Sequence, residues 1–150
     1  MNNWLYENKV IEKIEDFKPG TFGFVYKITN NETGKFYIGK KQLISKTNVK
    51  LGKKEKELLP IQRGRTPSKK LVVKEADWQN YWGSNKPLLG EVKSLGKEKF
   101  TREILMVCAS KKLLTYWEAA YQMKLDVLLI DSYNDTILGH YYKKDFDTQE

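Results

Sequence analysis

The fold of this chain is decided by residues 23–40, which read GFVYKITNNETGKFYIGK. Two short segments in it, residues 24–28 and 35–40, are rich in aromatic and β-branched side chains. Between them stands a run of asparagine, glutamate, threonine and glycine, the residues that turns favour. The pattern therefore predicts a β-hairpin.

The length of the hairpin loop decides how its tyrosines are arranged. If residues 31–34 form a four-residue loop that ends on a left-handed glycine, Ile28 faces Tyr37 across the ladder. Tyr26 then lies on the same face as Tyr37, about 7–8 Å away at the backbone, and both rings can address one ligand. A three-residue loop would instead put the two rings on opposite faces.

The net charge of the chain is concentrated in one segment. The 150 residues carry a formal charge of +8, whereas residues 40–74 alone hold ten lysines and two arginines against two glutamates. Glycines, prolines and few large apolar residues in this segment favour an extended or mobile loop, either merely solvated or bound to a phosphate backbone. Candidate DNA contacts are Lys40, Lys41, Lys53, Lys54, Arg63, Lys69 and Lys70.

The rest of the chain predicts one α/β (α+β) domain over residues 1–150, with the basic segment as an insertion at about 41–76. Residues 77–94 indicate a short helix, a turn and a second helix, with aromatic side chains that either pack on a sheet or stack on bases. Residues 100–107 predict a third strand, and Ser110 an N-cap for a helix over 111–124. We expect a small three-stranded mixed or antiparallel sheet flanked by helices.

Glu118 is the unusual residue of that last helix. It falls inside an apolar stripe formed by Leu114, Trp117 and Tyr121 at helical spacing. A carboxylate there is costly unless it is ion-paired, hydrogen-bonded or bound to a cation. Two roles of Glu118 therefore stay open: one partner of a buried salt bridge, or a ligand of a metal ion.

Composition excludes several classes of site. Cys108 is the only cysteine and His140 the only histidine, so an internal disulfide or a multi-thiolate zinc site is excluded. Any metal would therefore be a hard, oxygen-bound ion. The longest apolar run, residues 127–130, is too short to span a bilayer, and the first residues lack a signal pattern. We expect a soluble, cytoplasmic protein with no membrane partner.

Three short motifs resemble those of the GIY-YIG nuclease family. FVY at residues 24–26 and YIG at residues 37–39 are similar to its paired signature. YWEAAY at residues 116–121 resembles the helix that carries the family's single acidic residue, and YN at residues 133–134 resembles its late Tyr-Asn element. The resemblance thus extends over about residues 22–135.

The resemblance implies a phage or mobile-element type of stand-alone DNA endonuclease. Glu118 would bind one Mg²⁺ or Mn²⁺ ion, Tyr26 or Tyr37 would activate and orient the attacking water, and Asn134 would support the site. The implied partner is DNA, with double-stranded DNA as the expected substrate, and the implied state is a monomer or transient homodimer. Homing, restriction and repair all stay open as the biological role.

The sequence departs from the family pattern at two places. Phe24 stands where the signature has glycine, although Gly23 directly precedes it. The arginine that the family has on the helix after the second strand is also missing at that place. Arg102, on the predicted central strand, and Arg65, in the basic segment, are nearly equal candidates to replace it, and Arg63 ranks behind them.

The competing function is a non-catalytic nucleic-acid-binding module built on the nuclease scaffold. A ribosome- or RNA-associated basic protein is a further alternative, but it leaves the tyrosine pair and Glu118 unexplained. Since every one of these proteins would bind nucleic acid in a salt-sensitive way, cleavage is the property that separates them.

Overall fold

The structure is a computed structural model that describes residues 3–57 and 69–147. Contacts within the chain divide the described residues into two units. The larger unit comprises residues 3–43 and 77–147, and the smaller one comprises residues 44–57 and 69–76. No helix within the described ranges is long and apolar enough to cross a membrane.

Nine strands and three α-helices make up the regular structure of the described residues. The strands are β1 (Trp4–Tyr6), β2 (Lys9–Ile11), β3 (Gly23–Asn30), β4 (Phe36–Gln42), β5 (Ile44–Lys50), β6 (Lys69–Glu75), β7 (Phe100–Cys108), β8 (Thr136–Ile137) and β9 (Tyr141–Tyr142). The helices are α1 (Lys53–Glu57), α2 (Lys86–Leu95) and α3 (Lys111–Lys124), and short 3-10 turns cover Ile14–Asp16, Lys97–Lys99 and Lys143–Phe146.

The larger unit contains a five-stranded mixed sheet in the order β2-β1-β7-β3-β4. Only the β1–β7 pair is parallel. The prediction of three strands is correct for β3, β4 and β7 but wrong for the size of the sheet. The two added strands have three residues each and turn through Glu7 and Asn8, both at positive φ, instead of through an Asn-Gly or Asp-Gly pair. Such short strands form because β1 pairs with the long strand β7.

The predicted hairpin has the four-residue loop. Ile28 lies opposite Tyr37, and Asn30 N donates a hydrogen bond to Lys35 O at 2.8 Å. Gly34 closes the loop with a φ of 79°, the left-handed conformation that glycine adopts without strain. The register that places both tyrosines on one face is thus confirmed.

The two faces of the sheet are covered differently. Helix α3 packs on one face, where Leu114 joins Val25 and Ile38 in a buried apolar cluster. The other face carries an aromatic layer in which Trp4 contacts Phe24, with ring centroids 4.9 Å apart. Trp78 and Trp82 are buried in the larger unit, so these aromatic rings pack and are not available for base stacking.

Helix α3 begins where the sequence predicts, because the Ser110 hydroxyl accepts a hydrogen bond from Leu113 N at 3.2 Å. The short helix predicted before α2 is absent, and residues 77–85 form turns and irregular structure. The carbonyl oxygens of Gln79 and Tyr81 accept hydrogen bonds from the Arg102 side chain instead of from a helical backbone. Long-range hydrogen bonding therefore overrides the local helical preference.

The smaller unit is a two-stranded antiparallel ribbon with a short helix. β5 and β6 pair along their whole length, from Ile44 opposite Glu75 to Lys50 opposite Lys69. The prediction of an extended or mobile loop is therefore wrong for these residues. Valine, threonine and isoleucine in the two strands favour a pleated ribbon, and its lysines can stay in solvent on either side of it.

Candidate active site

A cavity of about 560 Å³ lies beside β4 and brings together Tyr37, Lys40 and Glu118. β4 is the last strand in the order of the five-stranded sheet, so one of its edges is not covered by another strand of the described residues. Because successive residues of a strand point to opposite faces, Tyr37 and Lys40 project from different faces and meet Glu118 of α3 at this edge. The cavity is also lined by Ser84, Gln122, Asn134 and Asp135.

Tyr37 presents its hydroxyl to this cavity in a half-buried position. Burial raises the pKa of Tyr37, and the charges of Glu118 and Tyr81 raise it further. A hydrogen bond with Ser84 acts in the opposite direction. Without an added positive charge the phenol therefore keeps its proton at neutral pH.

Tyr26 lies beneath Tyr37 and is only 1% exposed. The two ring centroids are 6.1 Å apart, and Tyr26 also makes an edge contact with Tyr81 at 5.9 Å. Burial raises the pKa of Tyr26 well above its usual value. Among the described residues that line the cavity, Tyr37 is present and Tyr26 is not, so the two tyrosines have different access to a ligand.

Gly39 makes the close arrangement of the tyrosines possible. A Cβ atom at this position would lie 2.6 Å from Cζ of Tyr26 and 2.8 Å from Cε2 of Tyr37. Both distances are far below van der Waals contact, so only glycine fits between the rings without displacing them. The third residue of the YIG motif is therefore required by packing.

Glu118 is held by Lys40 on the β4 side of the cavity. Lys40 Nζ lies 3.9 Å from Glu118 Oε1 and donates a hydrogen bond to Thr115 Oγ1 at 3.0 Å. Glu118 also accepts a hydrogen bond from the Lys40 backbone, and its side chain is 18% exposed. Burial raises the pKa of Glu118, whereas the Lys40 charge and the backbone hydrogen bond partly oppose that rise.

The side chain of Asn134 forms hydrogen bonds with the backbone of β4, as a neighbouring strand would. Its Oδ1 accepts a hydrogen bond from Ile38 N, and its Nδ2 donates one to Ile38 O, both at 2.9 Å. Gln122 Nε2 donates to the same carbonyl oxygen at 3.0 Å. The buried Asn134 side chain thus fixes the backbone between Tyr37 and Gly39.

The structure places Arg102 away from this cavity. It is 4% exposed, its guanidinium lies 4.5 Å from the ring centre of Trp4 and 4.3 Å from that of Trp82, and it lines a separate cavity of about 470 Å³. Its Nη1 donates to the carbonyl oxygens of Gln79 and Tyr81 at 2.9 and 2.8 Å. Burial lowers the pKa of Arg102 to about 10. These contacts fasten the segment that carries Tyr81 and Ser84.

The predicted DNA-contacting residues are distributed over both units. Lys40 and Lys41 line a third cavity of about 240 Å³, together with Lys111, and Lys41 Nζ lies 4.5 Å from the ring centre of Tyr81. Lys53, Lys54, Lys69 and Lys70 belong to the smaller unit and are exposed. Arg63 and Arg65 lie outside the described residues.

Sequence reasoning missed four residues of the site. Ser84 and Tyr81 form hydrogen bonds with Tyr37 and Tyr26, respectively, and Gln122 and Asp135 line the cavity beside Glu118. Only Gln122 had a usable signal, since a residue four positions after Glu118 shares its helix face. The others come from segments that are distant in sequence.

A divalent ion fits the donor set of this cavity. The carboxylate residues Glu118 and Asp135 line it together with Gln122, whose Oε1 is buried without a hydrogen-bond partner among the described residues. No group of three or more His, Cys, Asp or Glu residues gathers in the described ranges, so one or two carboxylates and water would hold the ion, as Mg²⁺ accepts. Six waters at about 30 Å³ each would fill only part of the cavity and leave room for a phosphate.

Paired tyrosines on a hairpin, with one half-buried helical carboxylate beside them, define the class of site found in nucleases with the GIY-YIG signature. A family model described as "Putative endonuclease segE, GIY-YIG domain" matches residues 4–145. The match covers nearly the whole sequence, and the chain therefore belongs to this GIY-YIG endonuclease family, as the motifs predicted. No curated protein and no solved structure matches the chain.

Proposed function

We propose that the protein is a divalent-metal-dependent endonuclease that hydrolyses phosphodiester bonds of double-stranded DNA. The observation that carries the proposal is the meeting of Tyr37, Lys40 and Glu118 at one cavity in a chain of this family. The cavity offers a hydroxyl, an ammonium and a carboxylate, which together can orient water, bind a phosphate and hold a cation.

Glu118 is the proposed metal ligand, with Asp135 available to a water of the same ion. When bound, a divalent ion polarises the scissile phosphate and stabilises the negative charge that develops on it. In the protein alone, the Lys40 ammonium compensates the Glu118 carboxylate from 3.9 Å. If Glu118 held the ion, the Lys40 ammonium would be available to bind a phosphate oxygen, the task of the arginine that is missing from its usual place.

Tyr37 is the proposed residue that orients the attacking water. Its phenol keeps the proton in the protein alone because burial raises its pKa. Positive charge brought near its oxygen would lower that pKa, so the phenol would lose its proton to solvent and the phenolate Oη could then accept a proton from the attacking water. Tyr26 is too buried to reach the water and supports Tyr37 from beneath.

Arg102 and Asn134 are proposed as positioning residues. Arg102 holds the segment that bears Ser84, the hydrogen-bond partner of Tyr37, and Asn134 holds the backbone on which Tyr37 stands. Arg65 remains a predicted phosphate contact. A monomer or transient homodimer also remains a prediction, which sedimentation velocity tests.

The test is nicking of supercoiled plasmid at low salt with Mg²⁺, with Mn²⁺ or with EDTA. We expect metal-dependent nicking that Glu118→Gln abolishes and Tyr37→Phe reduces by at least about 10²-fold, the usual contribution of a positioned proton-transfer group. The matched controls are Glu15→Gln and Tyr116→Phe, which change an exposed carboxylate and an exposed phenol outside the cavity.

The outcome also separates the proposed enzyme from the non-catalytic alternative. DNA binding by the wild type without nicking under any of these conditions would make the chain a binding module. If nicking is found, mapping the ends of the cut strands tests whether cleavage is restricted to one sequence, as homing and restriction require.

A further inference from the structure

The β5–β6 ribbon exposes lysines together with large apolar side chains. Its two strands contain five lysines and one glutamate. Leu71 and Val73 of β6 are 59% and 53% exposed. Exposed apolar side chains on a two-stranded ribbon favour association with another molecule that covers them.

The register divides these residues between two faces. One face, called here the Asn48 face, consists of Ile44, Lys46, Asn48 and Lys50 of β5 and Lys69, Leu71, Val73 and Glu75 of β6. Asn48 lies directly opposite Leu71 at its centre, and Lys50 lies opposite Lys69 near one end. Each face has one half-buried residue, Ile44 on the Asn48 face and Val72 on the reverse face, but the Asn48 face carries the two most exposed apolar side chains of the ribbon, Leu71 and Val73.

We propose that the Asn48 face binds in the major groove of double-stranded DNA. The proposal rests on the proposed function, in which duplex DNA is the substrate. Seven residues at about 3.3 Å each make a ribbon about 23 Å long, and the major groove, about 12 Å wide, admits a two-stranded ribbon. The lysines toward the ends of the face bind phosphates, and the central residues contact base edges.

The side chains at the centre of the face match major-groove chemistry. The Asn48 amide can accept from N6 and donate to N7 of one adenine, and the methyl groups of Leu71 and Val73 can contact thymine methyls. Thymine methyls are absent from the minor groove, which at about 6 Å is also too narrow for a ribbon. Neither strand contains an aromatic residue, which disfavours binding of single strands by base stacking.

The base contacts are tested by binding of the full chain to labelled A·T-rich duplexes in EDTA, measured by fluorescence anisotropy. Replacing thymine by uracil removes major-groove methyls, whereas replacing guanine by inosine removes a minor-groove amino group. We expect uracil to weaken wild-type binding about fourfold for each contacted methyl and inosine to have no effect. The double variant Leu71→Ser, Val73→Ser should bind both thymine and uracil duplexes equally.

The phosphate contacts are tested by the salt dependence of the same binding. In the triple variant Lys46→Gln, Lys50→Gln, Lys69→Gln, the negative slope of log affinity against log salt should become shallower by about 0.9 for each phosphate that is no longer neutralised. The total change should be about 2 to 3. The matched control is Lys9→Gln, Lys13→Gln, Lys18→Gln, which removes the same charge from exposed positions of the larger unit. The control should leave the slope unchanged.

Several results would overturn the proposal. An equally shallower slope in the control would show that only the net charge matters. Equal binding of the wild type to thymine and uracil duplexes would exclude the proposed base contacts. Tighter binding to single strands would identify the wrong nucleic acid. A dimer that dissociates in the Leu71→Ser, Val73→Ser variant, without a change in DNA binding, would make the face a contact between copies of the chain.

The plasmid assay keeps this proposal separate from the proposed function. If the wild type nicks DNA but the ribbon variants bind DNA as the wild type does, the proposed nuclease function is supported and the proposed major-groove contact is refuted. If the wild type never nicks DNA but shows the expected uracil and salt effects, the major-groove contact is supported and the proposed nuclease function is refuted.

Discussion

Replacing Gly39 by alanine tests whether the tyrosine pair is a packed unit. The added Cβ would lie 2.6 Å from Tyr26 Cζ and 2.8 Å from Tyr37 Cε2. Since carbon atoms in contact normally stand about 3.5–4.0 Å apart, the Tyr26 ring must move by about 1 Å. Trp4, with its ring centre 5.3 Å from that of Tyr26, and Tyr81, at 5.9 Å, restrict such a movement.

The expected cost follows from this overpacking. Forcing one extra carbon into a packed site typically lowers the free energy of unfolding by about 1–3 kcal/mol. A displacement of Tyr37 by about 1 Å should also slow nicking by about 10²-fold, because catalytic groups act only within a narrow geometry. Urea unfolding followed by circular dichroism measures the first effect, and plasmid nicking measures the second.

Gly90→Ala is the matched control for this substitution. Gly90 lies in α2, and a Cβ there meets no atom within 4 Å. Alanine should therefore raise the free energy of unfolding by up to about 1 kcal/mol through its helix propensity, with no change in nicking. The reasoning is refuted if Gly39→Ala unfolds at the wild-type urea concentration and nicks at the wild-type rate.

Three further substitutions test the remaining parts of the site. The pKa of Glu118 is higher in the folded state than its value near 4.5 in the unfolded state, so the ionised carboxylate lowers stability above that pH. Glu118→Gln should therefore raise the urea midpoint at pH 7 in EDTA. An equally large gain at pH 3 would contradict this cause. Arg102→Met should lower the free energy of unfolding by about 3–5 kcal/mol, since buried polar partners lose a charged donor; full stability with abolished nicking would instead make Arg102 a substrate contact. Asn134→Leu leaves both polar groups of Ile38 without their Asn134 partner and should cost about 2 kcal/mol, whereas an unchanged urea midpoint would show that water replaces the amide.

The sequence predicted the parts of the fold that depend on neighbouring residues. The hairpin follows from two β-rich segments and a glycine-ended turn, and α3 follows from a serine cap and helical spacing. β1 and β2 were not predicted because strands of three residues have no periodicity to detect. The β5–β6 ribbon is not predicted, because a segment rich in lysine that also contains glycine and proline favours a loop, although alternate positions of an exposed ribbon accept charge.

Prediction of the candidate site was similarly divided. Tyr37, Glu118, Lys40 and Asn134 were all named from the sequence, and the structure brings them to one cavity. The sequence left Tyr26 and Tyr37 equivalent, because their difference is one of burial in a three-dimensional environment. Arg102 is a catalytic candidate from its strand position alone, because the sequence does not show that its guanidinium binds the carbonyl oxygens of Gln79 and Tyr81.

The sequence alone thus determined the family, the presence of the hairpin and the place of Glu118 in a helical apolar stripe, because motifs, turn chemistry and helical spacing are local properties of a chain, but it left the hairpin register open between two loop lengths. Only the tertiary structure decided that Lys40 is the partner of Glu118, that Asn134 covers the edge of β4 and that Arg102 fastens a distant segment. Those choices depend on which groups are desolvated together, and desolvation is set by packing between elements that are far apart along the chain.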